Sequence, residues 1–209
     1  MLSGSGESRY LNGYNPGTHM TYVPIIIGSP RKGGDTHTLA QEVEKGLVSR
    51  EISSEFFFLN EMTFSGCQAC YACKQEGNIR CTRNDDMQTF YDAIDHADGL
   101  IIATPIYFGG VTGQTKLWLD RLFPYLSLDL GSLLPSKIPV SVIYTQNQPD
   151  PTFFTGAMDS FEFVLRLLGF DMRDRLIAPD LDAGRKPRVS EYPELMHNAY
   201  QIGKNLIIK

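Results

Sequence analysis

Four cysteines, Cys67, Cys70, Cys73 and Cys81, lie in one short segment of this 209-residue chain, and the sequence contains no other cysteine. Their spacing is C-x2-C-x2-C-x7-C. Thiolates grouped this closely favour a shared partner, because soft sulfur ligands select zinc, copper(I) or iron–sulfur clusters. The segment 66–86 is therefore the first candidate for chemistry.

The spacing of the cysteines favours an iron–sulfur cluster. Short C-x2-C spacers bring three sulfurs onto one centre in ferredoxin-type sites, where a more distant cysteine supplies the fourth ligand. A four-cysteine zinc site uses overlapping spacings, and free, reduced thiols are a further alternative. A disulfide pair is disfavoured, because the chain shows no secretory segment. The segment has few large apolar residues, so we expect its order to depend on the metal centre.

Composition limits the other classes of function. With 42% hydrophobic and 21% charged residues, the chain has an ordinary globular composition. Its formal net charge of −5 gives no broad basic field, so nucleic acid is not an expected partner. No apolar run approaches the roughly 18 residues of a membrane span, and no secretory signal is evident. We therefore expect a cytoplasmic protein without a membrane partner.

Residues 1–19 differ from the rest of the chain. They are rich in Gly, Ser and Asn and show neither helical nor strand periodicity. His19 and Met20 form the dipeptide that a common cloning junction leaves behind, which predicts an expression leader. A flexible N-terminal arm is the alternative. Residues 20–209 are predicted to form a single domain, since their length suits one well-buried core.

The elements that must position the cysteines alternate between strands and helices. Predicted strands lie at 22–28, 53–60, 100–103, 139–148 and 171–181. Predicted helices lie at 39–52, 85–97, 115–123, 154–169 and 191–208, and Gly169 is expected to end the fourth of them. In the third helix, Leu117, Trp118 and Leu122 are predicted to face inward. This alternation favours an open parallel α/β sheet.

The loop after the first predicted strand has the composition of a phosphate site. Its sequence SPRKGGDTHT supplies hydroxyl groups and leads into a helix, whose first backbone N–H groups and dipole stabilise anions. Capping of the helix by Asp35 or Thr36 is the simpler alternative. The loop matches neither a P-loop nor G-x-G-x-x-G, which disfavours a nucleoside triphosphate or a Rossmann dinucleotide site.

The motifs GSPRKGGDTHTL, the cysteine segment followed by DDM, and TPIYFGGVTGQTKLWLDR together resemble the NADPH-dependent FMN reductase superfamily, in particular its iron–sulfur flavoproteins. The resemblance covers residues 22–207. It implies a flavodoxin-like, doubly wound sheet of five parallel strands in the order 2-1-3-4-5, with helices on both faces. FMN is then expected at the switch point between strands one and three.

The resemblance also implies which residues bind the cofactors. The expected phosphate loop comprises Ser29, Arg31, Asp35, Thr36, His37 and Thr38. The residues expected along the isoalloxazine ring are Pro105, Ile106, Tyr107, Phe108 and Gly109, with Thr145, Gln146 and Asn147 from the loop after the fourth strand. The expected metal ligands are Cys67, Cys70, Cys73 and Cys81. No side chain is expected to act as a catalytic acid or base, since flavin carries the redox chemistry.

The implied activity is that of an FMN-dependent oxidoreductase or electron-transfer flavoprotein, in which FMN exchanges electrons with a [4Fe-4S] cluster. The expected donor is a small redox protein or NAD(P)H, and the acceptor a quinone or a flavin. A cluster-free NAD(P)H-dependent FMN or quinone reductase is one alternative, and a non-catalytic flavin carrier or sensor another. The resemblance implies a homodimer or tetramer. The apolar segment 123–137 is predicted to lie in such an interface or to pack within its own subunit.

Overall fold

A computed structural model describes residues 20–78, 80–182 and 188–207 of the chain. Residues 1–19, predicted to be a leader or a flexible arm, lie outside this part. The strands are β1 (Tyr22–Ile27), β2 (Ser53–Phe58), β3 (Leu100–Tyr107), β4 (Gly110–Val111), β5 (Pro139–Thr145) and β6 (Asp171–Ala178). The helices are α1 (Asp35–Val48), α2 (Met87–Asp95), α3 (Gly113–Asp120), α4 (Thr155–Leu168) and α5 (Pro193–Asn205). In the described ranges, no helix has the length and apolar character needed to cross a membrane.

Five strands form a parallel sheet in the order β2-β1-β3-β5-β6. Each is a short apolar or half-buried run, as the sequence predicts. If β4 is left out and the parallel strands are renumbered in chain order, their order in the sheet is 2-1-3-4-5, as predicted. The prediction of a sheet of only five strands is wrong, however, because β4 pairs antiparallel with β3. The strand order reverses between β1 and β3, which opens a crevice at the carboxyl edge there.

The sixth strand arises because β3 continues past its predicted end at Ala103. It runs to Tyr107, and the chain then turns back through Phe108 and Gly109 into β4. Both turn residues have positive φ, 49° and 78°, as in the two-residue turns that match the twist of a hairpin. Much of the stretch 104–113, which follows the predicted strand 100–103, is therefore a hairpin.

Helices cover both faces of the sheet, as predicted. One core layer joins α1 and α5 to the sheet, and the other joins α2, α3 and α4 to its opposite face. Trp118 and Leu122 are fully buried, as expected. The prediction for Leu117 is wrong, because its side chain is 42% exposed. Neighbouring helical positions differ by about 100°, so Leu117 and Trp118 cannot face the same way.

The apolar segment 123–137 divides into two parts. Pro124, Tyr125 and Leu126 are buried within the chain. Leu128 and Leu130, by contrast, are 70% and 63% exposed. Packing within the subunit therefore accounts for the first part of the segment and leaves the second part exposed in the single chain.

Helices α1 and α5 cross at two buried glycines, Gly46 and Gly203. A Cβ atom on Gly203 would lie 1.9 Å from the carbonyl oxygen of Val43, and one on Gly46 would lie 2.2 Å from that of Tyr200. Both obstacles are backbone atoms, which cannot rotate away. The close contact of the two helices thus requires the absence of a side chain at both positions.

We expect Gly203→Ala to destabilise the fold by about 1 to 3 kcal/mol, the usual cost of forcing extra atoms into a packed interior. The measurement is the urea midpoint of unfolding followed by circular dichroism. Gly156→Ala is the matched control, because a Cβ there would meet no atom within 4 Å. Equal midpoints for the two variants would contradict the close contact.

Candidate functional site

Buried hydroxyl groups organise the carboxyl edge where the strand order reverses. Thr112 Oγ1 donates to the carbonyl oxygen of Gly28, directly after β1, at 2.7 Å. Thr115 Oγ1 lies 2.8 Å from Thr112 Oγ1 and 3.1 Å from Thr104 Oγ1. All three threonines are completely buried. This threonine cluster, Thr104, Thr112 and Thr115, ties β1, β3 and the start of α3 together.

Gly28 makes this arrangement possible. A Cβ atom at this position would lie 2.0 Å from Thr115 Oγ1 and 2.9 Å from Thr104 Oγ1. The sequence alone indicates no role for these four residues. The available signal was the set of hydroxyl groups within and after an otherwise apolar strand, together with Thr112 as the N-cap residue of α3.

The N-terminus of α1 points its unpaired donors toward the same edge. Gly34 is its N-cap residue and has an extended backbone, with no side chain capping the helix. The N–H groups of the first helical turn have no acceptor inside the helix. Ser29 is buried beside them, and its Oγ accepts from the Arg31 N–H at 3.2 Å, which leaves its own proton to donate. An anion is stabilised in such a setting.

Thr36 links two loops that the sequence predicts to share one site. Its Oγ1 lies 2.8 Å from Oγ1 of Thr145, at the carboxyl end of β5, and both residues are buried. The contact joins positions 109 residues apart in the sequence. The predicted phosphate loop and the loop after β5 therefore meet.

Asp35 faces away from the predicted phosphate position. Its Oδ1 accepts from Arg188 Nε at 2.9 Å and from the Val189 N–H at 3.1 Å. Arg188 also donates to the carbonyl oxygen of Gly33 at 2.6 Å. Asp35 thus fastens the loop to the segment before α5. The sequence does not reveal the role of Arg188, since no local pattern indicates a contact across 153 residues.

His37 and Thr38 also have partners within the protein. His37 Nδ1 accepts from the Gly33 N–H at 3.0 Å, and its ring meets Phe58 edge-on, with ring centroids 5.0 Å apart. Burial, reinforced by Lys32, lowers the pKa of His37, so the neutral ring is favoured. Thr38 Oγ1 donates to the Gly34 carbonyl oxygen at 3.1 Å. These contacts give both side chains a structural role in the loop.

The residues predicted to line the isoalloxazine ring lie on the hairpin. Pro105 and Ile106 are buried within β3. Tyr107 is 42% exposed, and Phe108 and Gly109 form the exposed turn. Apolar and aromatic surface of this kind suits a flat ring system.

Gln146, directly after β5, carries an unsatisfied acceptor. The residue is only 3% exposed, and its amide nitrogen donates to the carbonyl oxygens of Gln148 and Asp150. Its Oε1 is buried without a hydrogen-bond partner among the described residues. Buried acceptors rarely stay unpaired, so a ligand donor is an expected partner. Asn147, the next predicted site residue, is exposed.

The four cysteines line one pocket, beside α3 and the residues that follow it. Ala69 and Tyr71 have left-handed backbones, with φ of 50° and 56°, and turn the chain between the first three cysteines. The Ala69 N–H donates to Cys67 Sγ at 3.4 Å. Burial raises the pKa of Cys73 against the opposing effect of Lys74, and the nearby Cys81 and Cys67 raise it further. The pocket therefore gathers soft donors.

The donor set fits a metal centre, but the coordination geometry is not preformed. Among the described residues, which include all four cysteines, no three His, Cys, Asp or Glu side chains are arranged to hold a metal ion. Metal binding commonly couples to local folding, because thiolates repel one another until the metal neutralises them. Four thiols around one pocket match the ligand number of a [4Fe-4S] cluster.

Two cations attach the cysteine segment to the segment after α3. Lys74 Nζ donates to the carbonyl oxygens of Phe123, at 2.6 Å, and Pro124, at 3.2 Å, and it also contacts that of Leu126. Arg121, only 1% exposed, donates to the Ser65 carbonyl oxygen. The sequence indicates a role for neither cation, because each binds backbone oxygen atoms far away in the sequence.

The two candidate sites lie at opposite ends of α3. The threonine cluster surrounds its first residues, and the cysteine pocket includes Asp120 and Arg121 at its end. Eight residues of α-helix rise about 12 Å along the axis. The expected flavin site and the cysteines are therefore separated by the length of this helix, roughly 12 Å.

The fold and the crevice at the switch point are those of a flavodoxin-like protein. The chain belongs to the NADPH-dependent FMN reductase family, whose sequence profile matches residues 21–138. It is 36% identical over 113 residues to an iron–sulfur flavoprotein of Methanocaldococcus jannaschii, covering 54% of this chain and 56% of that protein. It is 32% identical over 96 residues to an iron–sulfur flavoprotein of Methanosarcina thermophila, covering 46% and 49%. The chain thus spans about half the length of the curated relatives it matches.

Solved structures extend the similarity to the whole fold. An NAD(P)H:quinone oxidoreductase from Methanothermobacter marburgensis matches with a TM-score of 0.73 at 18% identity, covering 91% of this chain and 98% of that one. An FMN-dependent NADH-azoreductase from Bacillus anthracis, in complex with FMN, matches with a TM-score of 0.60 at 14% identity, covering 89% and 97%. At these identities the likeness concerns the fold. The predicted family and the flavodoxin-like class are confirmed.

We expect Ser29→Ala combined with Thr36→Ala to weaken FMN binding by about 1 to 3 kcal/mol, the cost of removing hydrogen bonds to a charged group. Riboflavin lacks the phosphate and should lose much less affinity. Fluorescence titration of the apoprotein measures the dissociation constants of FMN and of riboflavin.

Thr38→Val is the control for this pair, because its hydroxyl group is already bonded to the Gly34 carbonyl oxygen. It should leave FMN affinity nearly unchanged. Equal losses for FMN and riboflavin in the double variant would rule out the phosphate contact.

Proposed function

We propose that this protein is an FMN-dependent oxidoreductase in which FMN exchanges electrons with a [4Fe-4S] cluster held by Cys67, Cys70, Cys73 and Cys81. The observation that carries the proposal is that the threonine cluster and the cysteine pocket lie at the two ends of α3. Membership of the FMN reductase family supports the flavin, and the names of the relatives support the cluster.

FMN fits the residues at the carboxyl edge. Ser29, Thr36 and the first N–H groups of α1 would hold the phosphate, while Arg31 is an exposed cation beside them. Asp35, His37 and Thr38 would support the loop through their own contacts and not as ligands. The hairpin of β3 and β4 would border the ring, and Gln146 Oε1 would accept from a ring N–H.

The protein's part in the redox chemistry is to bind and orient. FMN, when bound, supplies hydride and single-electron transfer at its ring. Backbone N–H groups in the hairpin turn can stabilise negative charge that develops at the ring edge. Buried residues of β3 keep water from one side of the site, and no side-chain acid or base is required.

The proposed electron donor is NAD(P)H or a small redox protein, and the proposed acceptor is a quinone or a flavin. We also propose that the protein acts in the cytoplasm and forms a homo-oligomer. The test is anaerobic oxidation of NADH and NADPH with an added quinone, together with iron and acid-labile sulfide analysis. Turnover with both iron and sulfide present supports the whole proposal, whereas absence of turnover favours a carrier or a sensor.

A cluster-free NAD(P)H-dependent FMN or quinone reductase is the second candidate. The observation that favours it is the lack of a preformed metal arrangement among the described cysteines. The two candidates differ in one measurement, since a cluster-free enzyme retains flavin and turnover without iron even when purified in the absence of oxygen.

We expect Cys70→Ser to lose the cluster and to retain FMN. An alkoxide is a poor substitute for a soft thiolate at iron, and Cys70 belongs to no element of the predicted FMN site. The measurement is the content of flavin and iron per chain in protein prepared anaerobically.

Gln68→Ser serves as the control, because Gln68 also lines the pocket but carries no thiol. It should keep both cofactors. Loss of flavin together with iron in Cys70→Ser would show that the two sites are not separable.

A further inference from the structure

Arg121, which lines the cysteine pocket, has a buried donor that lacks an acceptor, and so does Ser65, two residues before Cys67. Arg121 Nε and Ser65 Oγ are inaccessible to solvent and have no hydrogen-bond partner among residues 20–78, 80–182 and 188–207. The two residues are in contact, since Arg121 Nη1 donates to the Ser65 carbonyl oxygen at 2.8 Å. Buried polar groups are almost always paired in proteins. Because Arg121 lines the pocket, its unpaired Nε indicates an acceptor there that is not a protein atom.

Arg121 is held rigidly at the wall of the pocket. It lines the pocket together with the four cysteines, and it interacts electrostatically with Cys81. Asp85 accepts from both terminal nitrogens of the guanidinium, at 2.7 and 2.9 Å, which fixes the plane of the group. Asp85 is not among the pocket-lining residues. The positive member of this ion pair is therefore the one that faces the thiols.

We propose that Arg121 tunes the cysteine-bound metal centre, because its guanidinium donates to a sulfur atom of the cluster and its charge favours the reduced form. The inference rests on the proposed function. Reduction adds one electron, and hence one negative charge, to the centre. A buried cation stabilises that charge strongly, because little water screens it. Hydrogen bonds to sulfur are among the features that set the potentials of such centres.

The test compares the midpoint potential of the cluster in wild-type protein and in Arg121→Met. Both proteins are full-length, prepared anaerobically with FMN, and titrated with dithionite while the reduced cluster is followed by electron paramagnetic resonance. We expect a clearly more negative potential in Arg121→Met. Arg121→Lys retains the charge but not the planar donor, and it should recover only part of the shift.

Arg83→Met is the matched control. Arg83 also lines the pocket, but its side chain is 44% exposed and its contact with Asp85 is 3.7 Å long. The substitution removes the same charge where solvent screens it, so the shift should be much smaller.

Arg121→Met can fail to fold, because it leaves the Asp85 carboxylate without its partner. Two further variants cover this case. The double variant Asp85→Asn with Arg121→Met removes both charges. It should still lower the potential, since Arg121 lines the pocket and Asp85 does not, so the cation lies nearer to the metal centre. Asp85→Asn alone removes the opposing negative charge and should shift the potential in the positive direction.

Two results would overturn the inference and leave the proposed function intact. One is an unchanged potential in Arg121→Met, or in the double variant if the single variant does not fold. The other is an equal shift in Arg83→Met, which would indicate long-range charge without a specific contact. Wild-type protein that contains FMN but neither iron nor acid-labile sulfide would overturn the proposed function and, with it, the inference.

Discussion

The close approach of the Gly28 backbone to the start of α3 is the constraint on which both sites depend. A side chain at Gly28 would overlap Thr115, so the threonine cluster can form only beneath a glycine. Thr112 then hydrogen-bonds the carbonyl group that follows β1 and also caps α3. Because buried hydroxyl groups must be paired, this small network fixes α3 relative to the reversal of strand order. Polar contacts among buried hydroxyl groups, as well as apolar packing, therefore determine the shape of the crevice.

Because α3 is a rigid helix, fixing its first residues also fixes its far end, which borders the cysteine pocket. Its far end leads into Arg121, which is bound to Ser65 ahead of the first cysteine and to Asp85 after the last. Both ends of the cysteine segment thus meet one side chain at the end of α3. An electron path between a flavin in the crevice and a centre in the pocket would then have a length set by the helix. Rigid separation by a regular element suits electron transfer, which needs proximity without shared ligands.

The sequence predicts the parts of the fold that depend on local apolar periodicity. Strands such as β1 and β5 are short buried runs, and the left-handed Gly169 ends α4 where a glycine is expected. It does not reveal β4, because a two-residue strand depends on the left-handed backbone at Phe108. For the candidate site, it predicts Ser29, Thr36 and the cysteines by residue type and resemblance, and the structure brings Thr36 to Thr145 and the cysteines to one pocket. It misses Arg188 and Arg121, since each acts through contacts that only the tertiary fold brings together.

The cysteine segment also shows that a low content of apolar residues does not by itself predict a disordered segment. Its sequence suggests that little besides a metal centre holds it, yet Lys74 caps the carbonyl groups that follow α3 and Arg80 pairs with Asp92 and Asp95. Both cations are partly shielded from solvent. Each such contact to a charged group contributes about 1.5 to 3 kcal/mol when buried and less when exposed. The segment is thus anchored at its middle and near its last cysteine by protein contacts, and in the turn from Cys67 to Cys73 the Tyr71 ring packs edge-on against Phe123.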